Sequence, residues 1–395
     1  MTSRRDTLRT LAAGVGTLLA PSAFTKENSP TALKDIASLK GLRFGNAMGL
    51  LGDERRARRF GDPAYRALMA RECNMFVAEN ETKWQAFEPR PGVFNTAPAD
   101  ELLAWARKES MAIRGHTVMW QSPQWMPAWV NQLDLGAQPG DRAARILAER
   151  VKSMCQHLGS DVVSYDVINE AVAPQDGKLI DNVLSKHLGV VGQIDMAFRL
   201  TRAQAPNAEL VYNDYMGPSK DSGKHRAGVL KLLAELKKRG TPIDSLGLQS
   251  HLGIHDSMTG SGGVEVAREW RAFLDEVVGM GYGLVVTELD VSDKGLPADI
   301  ATRDAATAEL ARNYLELTLS YPVCRDLLVW GLADHVSWLQ DWKDAKRPDG
   351  LAQRPTPYDS ALRAKPMRAA IADVLRSIPE RAPSARATAA PSRQT

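Results

Sequence analysis

Short apolar runs alternate with longer amphipathic stretches along most of this 395-residue chain. The apolar runs have the length of buried strands, and the amphipathic stretches repeat their apolar positions at the 3.6-residue period of a helix. The predicted strands cover residues 43–48, 75–80, 113–120, 164–170, 209–215, 245–251, 283–290 and 326–334. The predicted helices cover residues 63–72, 99–108, 143–158, 183–203, 224–238, 264–280, 305–320 and 366–376.

This alternation predicts the fold class. Continuous apolar strands separated by helices are typical of a parallel sheet whose outer face is covered by helices. Eight such units indicate an α/β protein, a (β/α)8 TIM barrel, built as a single domain with enlarged βα loops.

Conspicuous polar and aromatic residues collect at one end of the predicted strands, the C-terminal end. They are Glu79, Asn80, His116, Trp120, Asn169, Glu170, Asn213, Gln249, His251, Glu288 and Trp330. Barrels of this class build their active sites at that end. The pattern therefore predicts a functional site there.

Both ends of the chain depart from the alternation. Residues 1–23 begin with arginines and continue with an uncharged run at 11–20, which predicts an export signal. Arg4 and Arg5 resemble a bacterial twin-arginine signal, so we expect a periplasmic or secreted protein; a disordered basic start is the alternative. Residues 24–41 would lead into a barrel domain at 42–378, and a disordered tail is expected at 379–395.

The charge pattern argues against two kinds of partner. The formal net charge of +3 comes from arginines near both ends, and the body between them is near neutral. A near-neutral body gives no electrostatic reason to bind nucleic acid or an acidic membrane. The apolar run near the N-terminus is too short to span a bilayer. We expect a monomer that binds neither.

Cysteine and histidine spacing indicates neither a disulfide scaffold nor a metal centre. Cys73, Cys155 and Cys324 are widely spaced, so buried free thiols are expected, with a Cys73–Cys324 bridge left open. His251 and His255 lie four residues apart on a strand end and a loop instead of one helix, which does not favour a metal site. No dinucleotide or phosphate-binding fingerprint occurs at a sensible place.

Two glutamates carry the chemical prediction. Glu170 and Glu288 each end an apolar run, and a carboxylate beside a buried strand is costly unless it is used. Hydrolysis of a glycosidic bond with retention needs a proton donor and a nucleophile about 5–5.5 Å apart. We assign Glu170 as acid/base, with a pKa raised by apolar neighbours, and Glu288 as nucleophile. The alternative is two buried glutamates in ion pairs.

Nearby residues support these roles. Asn169 could hydrogen-bond the 2-hydroxyl of the sugar being cleaved. Asp290 could orient His251, which would donate to the nucleophile and hold it ionised. His116 reads equally as a sugar-binding residue or a satisfied core histidine. Tryptophans concentrate in the predicted loops, where their faces could stack on pyranose rings or pack in the core; they are Trp84, Trp120, Trp125, Trp129, Trp330, Trp338 and Trp342.

Seven ordered strings resemble glycoside hydrolase family 10, the endo-1,4-β-xylanases, from about residue 42 to 375. The strings are Glu79-Asn-Glu-Thr-Lys-Trp84, Arg114-Gly-His-Thr-Val-Met-Trp120, Asp166-Val-Ile-Asn-Glu170, Asn213-Asp-Tyr215, Gly247-Leu-Gln-Ser-His251, Thr287-Glu-Leu-Asp290 and Trp330-Gly-Leu-Ala-Asp334. The resemblance implies a retaining barrel glycosidase that cleaves internal linkages of xylan without metal or cofactor.

The resemblance also implies roles for further residues. Lys83, His116, Trp120, Asn169, Gln249 and His251 would surround the sugar at the cleavage point. Glu79, Asn80 and Lys83 would hold the next sugar toward the non-reducing end, and Trp330 and Trp338 would wall the cleft.

The chain departs from the family pattern at three places. Gln121 stands where the family commonly has His, and we expect it to bind substrate without carrying charge. Met216 replaces a usual Asn, and the loop at 340–355 is unfamiliar. These departures leave two alternatives open: the same chemistry on short xylo-oligosaccharides or another β-glycoside, and an inactive carbohydrate-binding protein on the same scaffold.

Overall fold

Eight parallel strands close into a barrel in the computed structural model, which describes residues 30–50 and 59–382. Each strand pairs with its neighbours in sequence, and the eighth pairs with the first, with Phe44 opposite Leu327. The predicted (β/α)8 barrel is confirmed. The strands are β1 (Arg43–Met48), β2 (Met75–Ala78), β3 (Ala112–Trp120), β4 (Val162–Asn169), β5 (Glu209–Asp214), β6 (Ser245–Leu248), β7 (Gly283–Val291) and β8 (Cys324–Val329).

Helices connect the strands and cover the outside of the barrel. They are α1 (Leu33–Ser38), α2 (Pro63–Glu72), α3 (Trp84–Phe87), α4 (Ala97–Lys108), α5 (Ala128–Asn131), α6 (Pro139–Leu158), α7 (Ser185–Leu188), α8 (Val190–Gln204), α9 (Gly223–Lys238), α10 (Gly263–Gly279), α11 (Ile300–Thr318) and α12 (Pro366–Ser377). Single 3-10 turns occupy Pro123–Trp125, Lys220–Ser222, Ile254–Asp256, Asp334–Val336, Trp338–Gln340 and Lys343–Ala345. A two-residue strand, His251–Leu252, pairs with the end of β7.

Local sequence explains where helices begin and end. Asp62 caps α2 by accepting a 2.8 Å hydrogen bond from the Ala64 amide, and Pro63 fills the first helical position. The predicted helix at 183–203 is two helices, because the chain turns at Gly189 with φ 70°. The predicted strands at 75–80, 245–251 and 326–334 end earlier than expected. Their last residues belong to the loops at the C-terminal end of the barrel strands, which we call the upper rim.

The interior of the barrel contains a layer of apolar side chains and, next to it, a set of ion pairs. The apolar layer contains Ala47, Met75, Val77, Val211, Val285, Leu328 and Trp330. Ion pairs between β strands lie nearby: the Arg43 guanidinium donates to Asp326 at 2.6 Å, and Arg114 pairs with Asp166. Pairing and hydrogen bonding allow the buried charges of Asp326, Arg114 and Asp166. The packed interior leaves the upper rim as the place for a site.

Described residues on both sides of the predicted barrel domain, 42–378, pack against it. The compact unit begins at Ala32, because α1 buries Leu33 and Ile36 against β1 and α12. At the start of the predicted tail, the buried Arg381 guanidinium donates to the carbonyls of Leu319 at 2.6 Å and Cys324 at 3.1 Å. The predicted export signal at 1–23 and the rest of the tail at 383–395 lie outside the described residues.

The cysteines are buried and free, so the open Cys73–Cys324 bridge does not form. Over the described ranges, no helix combines the length and apolar character needed to cross a membrane.

Candidate active site

The predicted acid/base, Glu170, follows β4 directly and adopts a left-handed backbone with φ 56°. A non-glycine residue in that conformation costs about 1 kcal/mol, a cost found at functional sites. Three side chains donate to its carboxylate: the Trp120 indole at 2.8 Å, the Gln249 amide at 2.9 Å and the Asn169 amide at 3.0 Å. Its position is therefore fixed by residues at or next to the ends of β3, β4 and β6.

Burial is the largest cause that raises the pKa of Glu170, to about 7. Hydrogen bonds from Gln249 and Trp120 act in the opposite direction, and the negative charges of Asp214 and Glu288 add to the rise. A carboxyl group with this pKa still holds a proton near neutral pH. It can donate that proton to a leaving group.

The predicted nucleophile, Glu288, lies within β7 and has the opposite protonation. Asn213 donates to its Oε1 at 2.8 Å, and His251 Nε2 lies 3.4 Å from its Oε2. Burial alone would raise the pKa of Glu288, but the hydrogen bond from His251 and attraction to His116, His251 and Lys83 lower it to about 2. The group is an anion throughout the ordinary pH range.

His251 and Asp290 stand in the predicted order behind the nucleophile. His251 Nδ1 lies 3.0 Å from Asp290 Oδ1, and the Trp338 indole donates to Asp290 Oδ2 at 2.7 Å. Burial opposes the charged imidazole, but Asp290 and Glu288 together raise the pKa of His251 to about 10. The imidazole is therefore positively charged at neutral pH and holds Glu288 ionised.

A residue that the sequence analysis left without a role, Asn213, connects the two glutamates. Its amide donates to Asn169 Oδ1 at 2.9 Å and to Glu288 Oε1, while its own Oδ1 accepts from Thr287 at 2.8 Å. Gly247 makes room for it, because a Cβ there would lie 2.3 Å from Asn213 Oδ1. The only sequence signal for this role was the position of Asn213 at the end of a predicted strand.

The predicted substrate-binding residues that follow β2 lie near one another and near Trp120. Lys83 Nζ donates to Asn80 Oδ1 at 3.0 Å and lies 4.7 Å from the centre of the Trp120 ring. Burial lowers the pKa of Lys83, and Glu288 and Glu170 oppose that effect. Glu79 is nearby in sequence and pairs with the buried Arg59.

His116 is anchored by a carboxylate and contacts an aromatic ring of the site. Its Nδ1 lies 2.9 Å from Asp166 Oδ2, and its ring meets the Trp330 ring edge-on at 5.3 Å. The bond to Asp166 leaves Nε2 as the nitrogen available for a sugar hydroxyl.

The structure does not bring the Gln121 side chain into the cleft. Its side chain is 0% exposed and donates to the carbonyl of Ile180 at 2.9 Å and to Gln193 at 3.3 Å. Asn182 also donates to its backbone carbonyl. Gln121 therefore joins β3 to α8 and the preceding loop, and no part of it reaches a substrate in the cleft.

Two further residues, Asp214 and Tyr215, lie beside the acid/base, and the sequence pattern predicts no role for either. Asp214 lies close enough for its charge to raise the pKa of Glu170. It is held by Tyr212, which donates to it, and by His225 Nε2 at 3.0 Å. Tyr215 is 37% exposed beside them, with its ring 4.9 Å from that of His225.

A proton donor and an ionised carboxylate held by one amide network can perform acid-assisted nucleophilic substitution. Within the described part of the chain, no group of three or more His, Cys, Asp or Glu side chains is arranged to bind a metal ion.

Comparison with known proteins adds independent support for this chemistry. The model of Glycosyl hydrolase family 10 matches residues 32–374. An endo-1,4-beta-xylanase 5 of Pyricularia oryzae is 28% identical, over 97% of this chain and 89% of the relative. A beta-1,4-xylanase of Dictyoglomus thermophilum is 27% identical, over 72% of this chain and 78% of its own length.

Solved structures agree in fold. The xylanase 10B of Thermotoga petrophila, crystallised with xylobiose, superposes with a TM-score of 0.74 at 25% identity, covering 88% of this chain and 98% of that structure. The native xylanase 10B of Thermotoga maritima gives 0.73 at 24% identity, with 87% and 98% covered.

Proposed function

Because the chain belongs to glycosyl hydrolase family 10, we propose that it is a retaining endo-1,4-β-xylanase in which Glu170 and Glu288 act on the internal linkages of xylan. One observation carries the assignment of roles. Two buried carboxyl groups, joined through Asn169 and Asn213, have pKa values of about 7 and about 2. Carboxyl groups whose pKa values are driven apart divide into acid and nucleophile.

In the first step, Glu288 attacks the anomeric carbon while Glu170 donates its proton to the departing oxygen. The C–O bond breaks, the leaving sugar takes the proton, and a glycosyl ester forms on Glu288. His251, held by Asp290, keeps Glu288 ionised before the attack. Asn169 would hydrogen-bond the 2-hydroxyl of the sugar.

In the second step, Glu170 is a carboxylate and acts as the base. It removes a proton from water, the water oxygen attacks the anomeric carbon, and the ester to Glu288 breaks. Two inversions give net retention, and both groups return to their starting protonation.

The sugar at the cleavage point would lie among Lys83, His116, Trp120, Gln249 and the charged imidazole of His251. Glu79 and Asn80 would contact the next sugar toward the non-reducing end. Trp330 and Trp338 would wall the cleft. The xylobiose complex of the Thermotoga petrophila xylanase supports a xylose-based ligand for this fold and family.

The proposal includes export. The arginines and uncharged run of residues 1–23 are typical of an export signal of twin-arginine type. A periplasmic or secreted location would bring the protein to a polymer that cannot enter the cell.

Variants at the two carboxyl groups test the roles on aryl β-xylobiosides of graded leaving-group pKa. Glu288→Ala should abolish turnover on all of them, because no other group can form the ester. Glu170→Ala should lose least on the best leaving groups, which depart without a proton. Glu149→Ala, an exposed glutamate on α6, is the control and should match the parent.

The anomer released first should be β, observed by proton NMR. Equal losses for Glu170→Ala and Glu288→Ala across all leaving groups would contradict the assigned roles. Saturable sugar binding without release of the aryl alcohol by the parent protein would favour the inactive binding protein instead.

A further inference from the structure

Four tryptophans form a continuous chain of ring contacts across the upper rim. Trp120 stacks on Trp125 at 4.7 Å with 19° between planes, and Trp125 lies 6.3 Å from Trp342. Trp342 lies 6.0 Å from Trp338. We call these four residues the tryptophan bridge. It joins the loop after β3 to the loop after β8.

The bridge starts at one catalytic carboxyl group and ends at the partners of the other. Trp120 donates to Glu170, and Trp338 donates to Asp290, which holds His251 beside Glu288. The contacts therefore run from the acid/base around the rim to the nucleophile.

Barrel topology fixes which side of the cleft is enclosed. In the closed sheet, β1 and β2 lie between β8 and β3. The shorter way around the barrel between the β3 and β8 loops therefore passes the ends of β1 and β2. Asn80 and Lys83 follow β2, and Lys83 lies against Trp120. Under the proposed function this is the side that holds the second sugar toward the non-reducing end.

The bridge leaves no room for a sugar between its two loops. A pyranose ring held between two indoles needs about 7–8 Å from ring to ring, which is two van der Waals contacts. The centres of Trp125 and Trp342 are 6.3 Å apart. A xylan chain cannot pass between them while the contact is made.

The loop that carries Trp342 is firmly held. Gln340 and Gln353 exchange hydrogen bonds at its base, at 2.8 and 3.1 Å. The buried Arg347 guanidinium donates to the carbonyls of Asp293 and, at 2.8 Å, Leu296, in the loop after β7. These bonds fix the base of the loop, and the Trp342 indole at its exposed tip makes the contact across the rim. The opposite side, near Tyr215 and the end of β5, is outside the bridge.

We propose that the tryptophan bridge ends the cleft beyond the second sugar on the non-reducing side, which makes Trp125 and Trp342 specificity-determining residues. The inference rests on the proposed function. Short xylo-oligosaccharides and the non-reducing ends of xylan are cleaved faster than mid-chain linkages, with two sugars retained and the rest leaving past Tyr215. A mid-chain linkage is reached when Trp342, 42% exposed, swings outward.

Xylohexaose labelled at its reducing end tests the bridge, with the cleavage position read by mass spectrometry. The parent protein should release mainly unlabelled xylobiose. Trp342→Ala should add central cleavage to two xylotrioses and raise the kcat/KM ratio of linear xylan to xylotriose by roughly tenfold. Trp125→Ala opens the bridge from the other loop and should change both readouts in the same direction.

Leu351→Ala is the matched control, since it removes another exposed apolar side chain from the same loop and should leave the pattern unchanged. Central cleavage by the parent protein, or an unchanged pattern in both tryptophan variants, overturns the bridge and leaves the proposed function intact. A loss of affinity for long chains in Trp342→Ala would make the indole a stacking platform and also overturn it. No hydrolysis of xylohexaose by the parent protein overturns the proposed function itself.

Discussion

Glu170 and Glu288 have the same side chain and hold their protons over different pH ranges. Both are buried, and burial alone raises the pKa of each. The difference comes from neighbours, because Glu170 lies near negative groups and Glu288 near His251, His116 and Lys83. The chemical role of each glutamate is therefore a property of its surroundings.

The basic limb of the pH profile should respond to the neighbours of Glu170 in opposite directions. In the parent protein, kcat/KM should fall above about pH 7 as Glu170 loses the proton it must donate. Asp214→Asn removes a negative neighbour, lowers the pKa of Glu170 and moves this limb down by roughly 0.5–1 pH unit. Trp120→Phe removes a hydrogen bond to the ionised form and moves the limb up. Movement of both variants in one direction would be inconsistent with these causes.

The acidic limb should depend on His251. His251→Asn removes the charged donor to Glu288, so the pKa of Glu288 rises. The acidic limb of the pH profile should therefore move up by more than about 1 pH unit relative to the parent. The basic limb should stay in place. His255→Asn, in the same loop with a side chain 63% exposed, is the control and should move neither limb.

At the scale of elements, helix α6 supports the backbone that carries two site residues. Its apolar face buries Leu147, Val151 and Met154, and the helix ends before Gly159. Between these residues, the buried Arg150 guanidinium donates to the carbonyls of Thr82 and Val118 at 2.8 Å and Thr117 at 3.0 Å. These carbonyls adjoin Lys83 and His116, so one helix side chain fixes the backbone under two site residues.

Replacing Arg150 should therefore affect stability and activity together. Burial lowers the pKa of this guanidinium to about 9, which reflects how fully it is removed from water. Arg150→Met leaves several carbonyls unpaired and should lower the free energy of unfolding by roughly 2–4 kcal/mol, measured in urea. Arg145→Met, exposed on the same helix, should change it by less than about 0.5 kcal/mol. An Arg150→Met protein with the free energy of unfolding and the activity of the parent would contradict the anchoring role.

At the scale of the whole molecule, closure of the barrel makes the site. Glu170, Asn213 and Glu288 are far apart along the chain and meet because β4, β5 and β7 end at the same rim. Both described ends of the unit contribute to closure. α1 packs under β1, and the Arg381 backbone amide donates to the Lys40 carbonyl at 2.9 Å.

Truncation should locate the true start of the folded unit. A chain that begins at residue 30 should unfold like the full chain, whereas one that begins at residue 42 loses the burial of Leu33 and Ile36. The expected loss is roughly 3–5 kcal/mol in the free energy of unfolding. Equal stability of the two truncated chains would place the boundary at 42, as the sequence pattern predicted.

The sequence determined the barrel and the elements that carry the site, because strand burial and helix periodicity are local properties of the chain. It also placed Asn169, Glu170, Glu288 and His251 at strand ends, where a barrel brings side chains together. Those predictions required only the order of elements and the known meeting point of parallel strands.

Only the tertiary structure decided the contacts between loops of different units. It turned Gln121 inward to Ile180, placed Asn213 between two carboxyl groups, and joined Trp125 to Trp342 across the rim. The opposite pKa shifts of two identical side chains depend on distances through space that residue spacing does not contain. Local pattern fixes which residues reach the rim, and packing fixes what each one touches there.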